Sequence, residues 1–159
     1  MSDARPKDAA TLIRERYAEI WPKILDPWTQ YLISARSAFD GDLDKMVILA
    51  VVGLMSLKDK GLLERNPPSI SYDDLAKPGA TATDAQPINI ESIALYTGIP
   101  RESVRRKVQE LIGRKWIARD TRGYLVVLPA AASDLEVLSS HLFRLIGQVS
   151  SAIDEGKNV

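Results

Sequence analysis

Four basic side chains are crowded into seven positions of the sequence: Arg101, Arg105, Arg106 and Lys107. Guanidinium and ammonium groups bind phosphate oxygens, and an arginine can also read a guanine through two parallel hydrogen bonds. From position 101 to 122 the chain carries eight Lys or Arg against three acidic residues, a local charge of +5. Since the whole chain has a net charge of zero, the rest carries −5. This asymmetry predicts one local surface for a polyanion.

The basic stretch also has the apolar spacing of a helix. Val104, Val108 and Leu111 recur at intervals of four and three residues, which predicts one buried side. At about 100° per residue, the opposite side carries Glu102, Arg106 and Gln109, with Ser103 beside them. An α-helix fits the major groove of DNA, where Arg reads guanine and Gln reads adenine.

Eight polar residues of this helix receive an expected role. Arg106 and Gln109 are predicted to contact bases, with Glu102 and Ser103 as helpers. The remaining cations are predicted to hold phosphates, which positions a protein on DNA without specifying a sequence: Arg101, Arg105, Lys107 and Arg114. The alternative is that these residues form only the solvated side of an amphipathic helix.

Upstream, the chain is predicted to form three helices between positions 7 and 63. Residues 7–39 are expected to form two helices, the first ending at Pro22 and the second beginning near Pro27. After the turn at Gly41, Asp42 is expected to cap a third helix. This helix is apolar on every side between positions 46 and 57, so we expect it at the centre of the core.

Residues 65–87 contain four prolines and many small polar residues, which predicts a long loop. Within it, SISYDDLA can form a short turn of helix. Asn89 is then expected to cap a short helix that Gly98 ends. A longer helix follows at about 100–115, and residues 116–128 are predicted to form a β-hairpin around the turn Asp120–Gly123.

Helix, glycine turn, helix and hairpin follow one another in IALYTGIPRESVRRKVQELIGRKWIARD and the residues after it. Ala94 lies four residues before Gly98, and Val104 lies six residues after it. In this region, about 88–128, the chain resembles bacterial winged helix-turn-helix transcription regulators of the MarR-like and GntR-like kind. The resemblance implies a sequence-specific regulator of transcription that binds double-stranded DNA. Its recognition helix would be 100–115 and its wing 116–128, with Arg119 and Arg122 at the wing tip.

The expected fold is mostly α with a small β-hairpin: a winged helix-turn-helix with extra helices at both ends. We expect N-terminal helices in 1–42, the DNA-binding domain in 43–128 and a C-terminal helix in 129–159. That last helix, capped by Ser133 or Asp134, should end near Gly156. Its apolar residues alternate by three and four, which suits a helix–helix seam, and the resemblance implies that both terminal segments build a homodimer.

The composition argues against several other classes of protein. Without cysteine the chain has no thiolate catalysis and no disulfide, and His141 alone offers no catalytic or metal-binding constellation. We expect no enzyme, cofactor or metal, and a cytoplasmic protein without a membrane span, because the longest uncharged run is twelve residues.

Two further questions are left open by the sequence. The aromatic residues of the N-terminal helices could line a pocket for a small-molecule effector or belong to the core: Tyr17, Trp21, Trp28 and Tyr31. The acidic segments DGDLD and YDDLA keep open an alternative function, a winged-helix module that binds protein without binding DNA.

Overall fold

The computed structural model describes residues 8–59, 71–77 and 88–157. Within these ranges the chain forms eight helices, covering 77% of the residues, and one two-stranded antiparallel sheet. The prediction of a mostly helical protein with a small β-hairpin is therefore confirmed. The part of the predicted loop 65–87 outside 71–77 lies beyond the described residues.

The elements follow one another along the chain in this order: α1 (Ala9–Glu15), α2 (Tyr17–Ala38), α3 (Leu43–Asp59), α4 (Tyr72–Ala76), α5 (Ile90–Thr97), α6 (Arg101–Gly113), β1 (Ile117–Arg119), β2 (Leu125–Val127), α7 (Pro129–Asp134) and α8 (Glu136–Lys157). They divide into two compact units. Phe39–Glu136 forms one, called here the central unit, and Met1–Ala38 joins Val137–Val159 in the other, called here the terminal unit.

In the terminal unit the helix break lies earlier than the sequence suggested. Asp8 caps α1, and the chain leaves helical geometry only at Arg16, so α2 runs through both Pro22 and Pro27. The predicted break between these prolines was wrong. A proline inside a helix costs about 3 kcal/mol, but ending the helix there would interrupt the buried stripe Ile20, Pro27, Tyr31 and Ala35.

The terminal unit has its own apolar core. Leu12, Ile20 and Ala152 are buried together, with Ile24 and Ile153 packed against them. The Arg16 guanidinium donates to the carbonyl oxygen of Gly156 at 2.6 Å, and Lys23 pairs with Glu155. The start of α2 therefore packs against the end of α8.

The C-terminal segment forms two helices, so the prediction of one helix capped by Ser133 or Asp134 was wrong. Pro129 starts α7, and Leu135, with φ −99° and ψ 15°, separates α7 from α8. The Asp134 carboxylate accepts a hydrogen bond from the indole N–H of Trp116 at 2.8 Å, so it forms a tertiary contact and not a helix cap. Helix α8 then ends at Lys157, close to the predicted end at Gly156.

In the central unit, α3 lies at the middle, as predicted. Ile48 and Val52 are fully buried, and α3 packs against α5, α6 and β2. Its exposed side still carries Leu43 and Val47, so α3 is not covered on every side. Helix α3 begins at Leu43, directly after Asp42 at the predicted cap position, and the N–H of Lys45 donates to the backbone carbonyl oxygen of Asp42 at 3.1 Å.

The segment that leads to α6 folds as the sequence predicts. The Asn89 side chain accepts the N–H of Ser92 at 2.9 Å and so begins α5. Gly98 ends α5 with φ +74°, a left-handed conformation that costs glycine little, and its N–H donates to Ala94. Helix α6 starts at Arg101, directly after Pro100.

The β-hairpin is also confirmed. Strand β1 pairs with β2 in antiparallel register, with Ala118 opposite Val126. The turn is held by Asp120, whose carboxylate accepts the N–H groups of Arg122 and Tyr124. Gly123 completes it with φ +86°. The N–H of Leu125 donates to Ile88 at 3.0 Å, which ties the hairpin to the segment before α5.

The short helix α4 confirms the expected helical turn in SISYDDLA. Ser71 and Asp74 form a reciprocal capping box at its start. The Tyr72 hydroxyl donates to the carbonyl oxygen of Ala132 at 2.9 Å, so α4 packs against α7.

Candidate functional site

Helix α6 is held in the central unit by its apolar side. Val104, Val108 and Leu111 have no exposed surface. They lie within about 60° of one another around the helix axis, and they face α3 and the other elements that pack on α6. Burying such side chains contributes about 1.5–3 kcal/mol each, so this side fixes which residues can face outward.

The opposite side of α6 is polar and open. Arg106 and Gln109, the predicted base-contacting residues, are both exposed, and so is Glu102. Together with Ser103, Arg105 and Glu110 they line a shallow surface depression. This set is called here the outward face of α6. Five of the predicted site residues therefore lie side by side on one surface.

Lys107 departs from its expected placement. Its side chain is only 7% exposed, and its ammonium forms ion pairs with Asp42 and, at 3.3 Å, with Asp44. A phosphate contact would require this ammonium to leave two carboxylates and a buried position. The expected exposure of Lys107 is therefore wrong, its role as a phosphate clamp stays a prediction, and we leave Lys107 out of the candidate interface.

Arg114 is also engaged within the central unit. Its guanidinium pairs with Asp40 and lies over the ring of Trp116, 4.8 Å from the centroid. Trp116 is buried, with Phe39 packed edge-on at 5.5 Å. The Arg114 side chain is 31% exposed, so DNA would have to compete with Asp40 for it.

Glu110, on the same side of α6 as Lys107 and Arg114, forms an ion pair with the buried Lys45. The pKa of the Glu110 carboxyl is lowered, chiefly because the Lys45 ammonium donates a hydrogen bond to it. Burial opposes the charged forms of both Asp42 and Lys107. Their mutual ion pair outweighs that cost, so the pKa of Asp42 is lowered and that of Lys107 is raised.

Sequence reasoning missed these partners of α6. Asp40, Asp42 and Asp44 lie in one short acidic run, of which only Asp42 was given a role, as a helix cap. The available signal was the match between this acidic run and the basic run of α6. More than 60 residues separate the two in sequence, so the pattern alone could not pair them.

The first turns of α6 keep their cations at the surface. Arg101 pairs with Glu91 at 2.8 Å, and Arg105 pairs with Glu102 at 2.9 Å. All four side chains are more than half exposed. Exposed pairs of this kind contribute about 0–1 kcal/mol, so a phosphate can replace the carboxylate at little cost.

The hairpin carries the two remaining predicted residues. Arg119 donates to the carbonyl oxygen of Gly123 at 2.9 Å. Arg122 pairs with Asp120 at 3.2 Å and lies over the ring of Tyr124. Both arginines are exposed but bound to their own turn, which holds them at the tip.

The terminal unit exposes several large apolar side chains on both α2 and α8. On α2 these include Trp28 and Ile33, which are 45% and 59% exposed, and on α8 Phe143 and Ile146, which are 52% and 58% exposed. Tyr31, by contrast, is buried. The aromatic residues lie in two pairs rather than around one cavity: Tyr17 with Trp21, and Trp28 with Tyr31.

The described parts of the chain contain no cluster of three or more metal-binding side chains. His141 lies on α8, in the terminal unit. None of the helices in the described ranges combines the length and the apolar character needed to cross a bilayer.

Comparison with protein-family models, with curated proteins and with solved structures finds no match to this chain.

Proposed function

We propose that this chain is a sequence-specific DNA-binding regulator of transcription with a winged helix-turn-helix in its central unit. Helix α5 and the Gly98 turn position α6, which enters the major groove as the recognition helix. The β1–β2 hairpin acts as the wing. The proposal rests on the sequence resemblance to MarR-like and GntR-like regulators and on the geometry of α6.

One observation carries the proposal: α6 divides into a fully buried apolar side and an exposed polar side that holds Arg106 and Gln109. These side chains match the hydrogen-bonding edges of guanine and adenine in the major groove. A helix of about 10–12 Å diameter fits a groove of similar width. In this proposal Arg106 and Gln109 contact bases, with Glu102 and Ser103 beside them.

Phosphate contacts come from the cations around this face. Arg101 and Arg105 lie at the start of α6, and each is paired with an exposed glutamate that a phosphate can replace. Arg119 and Arg122 extend from the hairpin, where a wing tip approaches the minor groove and its negative potential. Arg114 contributes only after it releases Asp40.

The proposal includes a homodimer built by the terminal unit. The side chains of Trp28, Ile33, Phe143 and Ile146 are about half exposed, and exposed large apolar side chains suit a surface that a protein partner covers. A second copy that covers them would also place two recognition helices on two half-sites.

The dimer has a direct test. Light scattering during size-exclusion chromatography should give twice the monomer mass of 17.6 kDa. The variant Ile33→Glu should shift particles to the monomer mass, whereas Gln30→Glu, an exposed polar neighbour on α2, should not. Particles of monomer mass for the unmodified chain at micromolar concentration would reject the dimer.

DNA binding itself can be tested without knowing the operator. The purified chain is incubated with sheared genomic DNA, and the retained fragments are sequenced. The proposal predicts a recurring motif, with two related half-sites if the chain dimerises. Arg106→Ala should lose that enrichment, and Asp26→Asn on α2 serves as a control with a single exposed charge removed. Retention without any recurring motif would reject sequence-specific recognition.

A second candidate function is supported by α5. Leu95 and Tyr96 are 80% and 67% exposed, side by side on the helix before the Gly98 turn. Apolar side chains at such exposure suit a protein partner better than a phosphate backbone. A winged-helix module that binds protein would lose its partner in the variant Leu95→Ser with Tyr96→Ser, and Arg106→Ala would leave that interaction unchanged.

A further inference from the structure

The flank of α6 that faces the start of α3 carries three charged side chains in register. Lys107, Glu110 and Arg114 lie within about 60° of one another around the helix axis. Each forms an ion pair with the short segment 40–45: Lys107 with Asp42 and Asp44, Glu110 with Lys45, and Arg114 with Asp40. Segment 40–45 therefore forms ion pairs with α6 along about two helical turns.

Lys107 is the most buried of these three α6 side chains. The side chains of Lys107 and Lys45 are 7% and 9% exposed. The backbone of Asp42 is itself held in place, because its carbonyl oxygen accepts the N–H of Lys45 at 3.1 Å and its own N–H donates to Phe39 at 3.0 Å. The Lys107–Asp42 pair thus joins the residue before α3 to the middle of α6.

The Lys107–Asp42 ion pair restricts the rotation of α6 about its own axis, which the apolar side restricts only weakly. Val104, Val108 and Leu111 hold α6 against the core, but apolar contacts are non-directional and permit a small roll about the helix axis. A hydrogen-bonded ion pair on one flank is directional. Rolling α6 by about 20° moves a side chain 5 Å from the axis by almost 2 Å, enough to break a paired hydrogen bond to a base.

We propose that Lys107 is a positioning residue, which with Asp42 and Asp44 fixes the roll of α6 and so the aim of Arg106 and Gln109, and that it makes no contact with DNA. This inference rests on the proposed function. In this inference Lys107, Asp42 and Asp44 contribute to sequence specificity without contacting a base. The positive charge of Lys107 alone would instead suggest a phosphate contact.

The two roles predict opposite results for Asp42→Asn. This variant nearly preserves the size of the side chain but removes one of the two carboxylates that pair with Lys107. If Lys107 binds phosphate, the loss of a competing carboxylate strengthens binding to every duplex. If Lys107 positions α6, preference for the selected sequence over a scrambled duplex falls by about tenfold, the loss typical of one misread base pair.

The variant Lys107→Met gives a second test through salt dependence. It nearly preserves the volume of the side chain and removes its charge. A phosphate contact contributes about 0.9 to the slope of log K against log salt. We expect an unchanged slope for Lys107→Met, with lost sequence preference. The matched control Arg105→Met, which removes an exposed charge two positions away, should lower the slope by about 0.9.

The experiment measures the affinity of each variant for one selected and one scrambled duplex over a salt series. The circular dichroism of every variant is compared with that of the unmodified chain, so that only folded proteins are scored. A slope that falls as far for Lys107→Met as for Arg105→Met, with equal losses on both duplexes, would overturn the inference. So would stronger binding of Asp42→Asn to both duplexes with unchanged preference.

A measurement without DNA separates this inference from the proposed function. The chain has no cysteine, so a single Ile112→Cys reports on α6 alone. Ile112 is half-buried on the flank opposite Lys107. We expect Lys107→Met to raise its rate of thiol labelling severalfold, because α6 is less restrained. If the unmodified chain binds no duplex, DNA binding is rejected, and an unchanged labelling rate would reject the positioning role as well.

Discussion

Replacing the glycine between α5 and α6 tests the geometry on which the outward face depends. Gly98 has φ +74°, and a Cβ atom there would meet no atom within 4 Å. The cost of Gly98→Ala is therefore backbone strain alone, about 1–2 kcal/mol for an L-residue in the left-handed region. The lower entropy of the unfolded alanine variant offsets about 0.4–1 kcal/mol of this cost.

We therefore expect Gly98→Ala to lower the free energy of unfolding by about 1 kcal/mol, or the melting temperature of a unit of about 100 residues by about 4–8 °C. Gly98→Asn should cost less, because asparagine tolerates this conformation. Gly113→Ala is the matched control: it also meets no atom within 4 Å, but it lies in α6 without positive φ. It should stabilise the protein by about 0.5–1 kcal/mol.

The assay is urea unfolding followed by the fluorescence of Trp116, the buried tryptophan of the central unit. The other two tryptophans, Trp21 and Trp28, are replaced by phenylalanine in every protein compared, so that the signal reports on that unit. The expected difference between Gly98→Ala and Gly113→Ala is about 1.5–2 kcal/mol, with opposite signs relative to the parent. Equal stabilisation by both alanines would show that Gly98 is not left-handed and would refute the reasoning.

Three further predictions concern the packing, the cap and the charges around α6. Leu111→Ala, at a side chain with no exposed surface, should destabilise the protein by about 2–5 kcal/mol in the same urea assay, and a loss below about 1 kcal/mol would contradict the burial of α6. Asn89→Ala should cost about 1 kcal/mol through loss of the α5 cap, and Asn89→Asp should cost much less. Because the folded pKa of Asp42 is lowered, its charge stabilises the folded state above its ordinary pKa, and this contribution is lost as the pH falls through the lowered value. The stability difference between the parent and Asp42→Asn should thus be constant near neutral pH and shrink below about pH 4, and a constant difference down to pH 2 would contradict the Lys107–Asp42 pair.

Local signals in the sequence predicted the central unit well. Asn89, Gly98 and Pro100 mark the ends of α5 and α6 because a cap, a left-handed turn and a helix start each need a particular residue type. The hairpin followed from β-prone residues around Asp120–Gly123. The apolar spacing of Val104, Val108 and Leu111 identified the buried side of α6 and hence its outward face.

The errors arose where tertiary contacts outweigh local preference. Pro22 and Pro27 lie inside α2 because a continuous buried stripe is worth more than the lost hydrogen bonds. The Asp134 carboxylate accepts a hydrogen bond from the indole of Trp116 and does not cap α8. Lys107 sits about 60° from the centre of the buried side, a position that a helical wheel cannot assign to solvent or core without knowing that Asp42 and Asp44 lie opposite.

The central claim, that the outward face of α6 enters the major groove, is tested most directly by methylation protection on the selected duplex. Dimethyl sulfate methylates N7 of guanine, an atom at the edge of the major groove that Arg106 is proposed to contact. The unmodified chain should protect guanines within the recurring motif, and Arg106→Ala should lose protection at one guanine in each half-site while it retains the others. Bound DNA whose guanines are all methylated as fast as in free duplex would contradict the account.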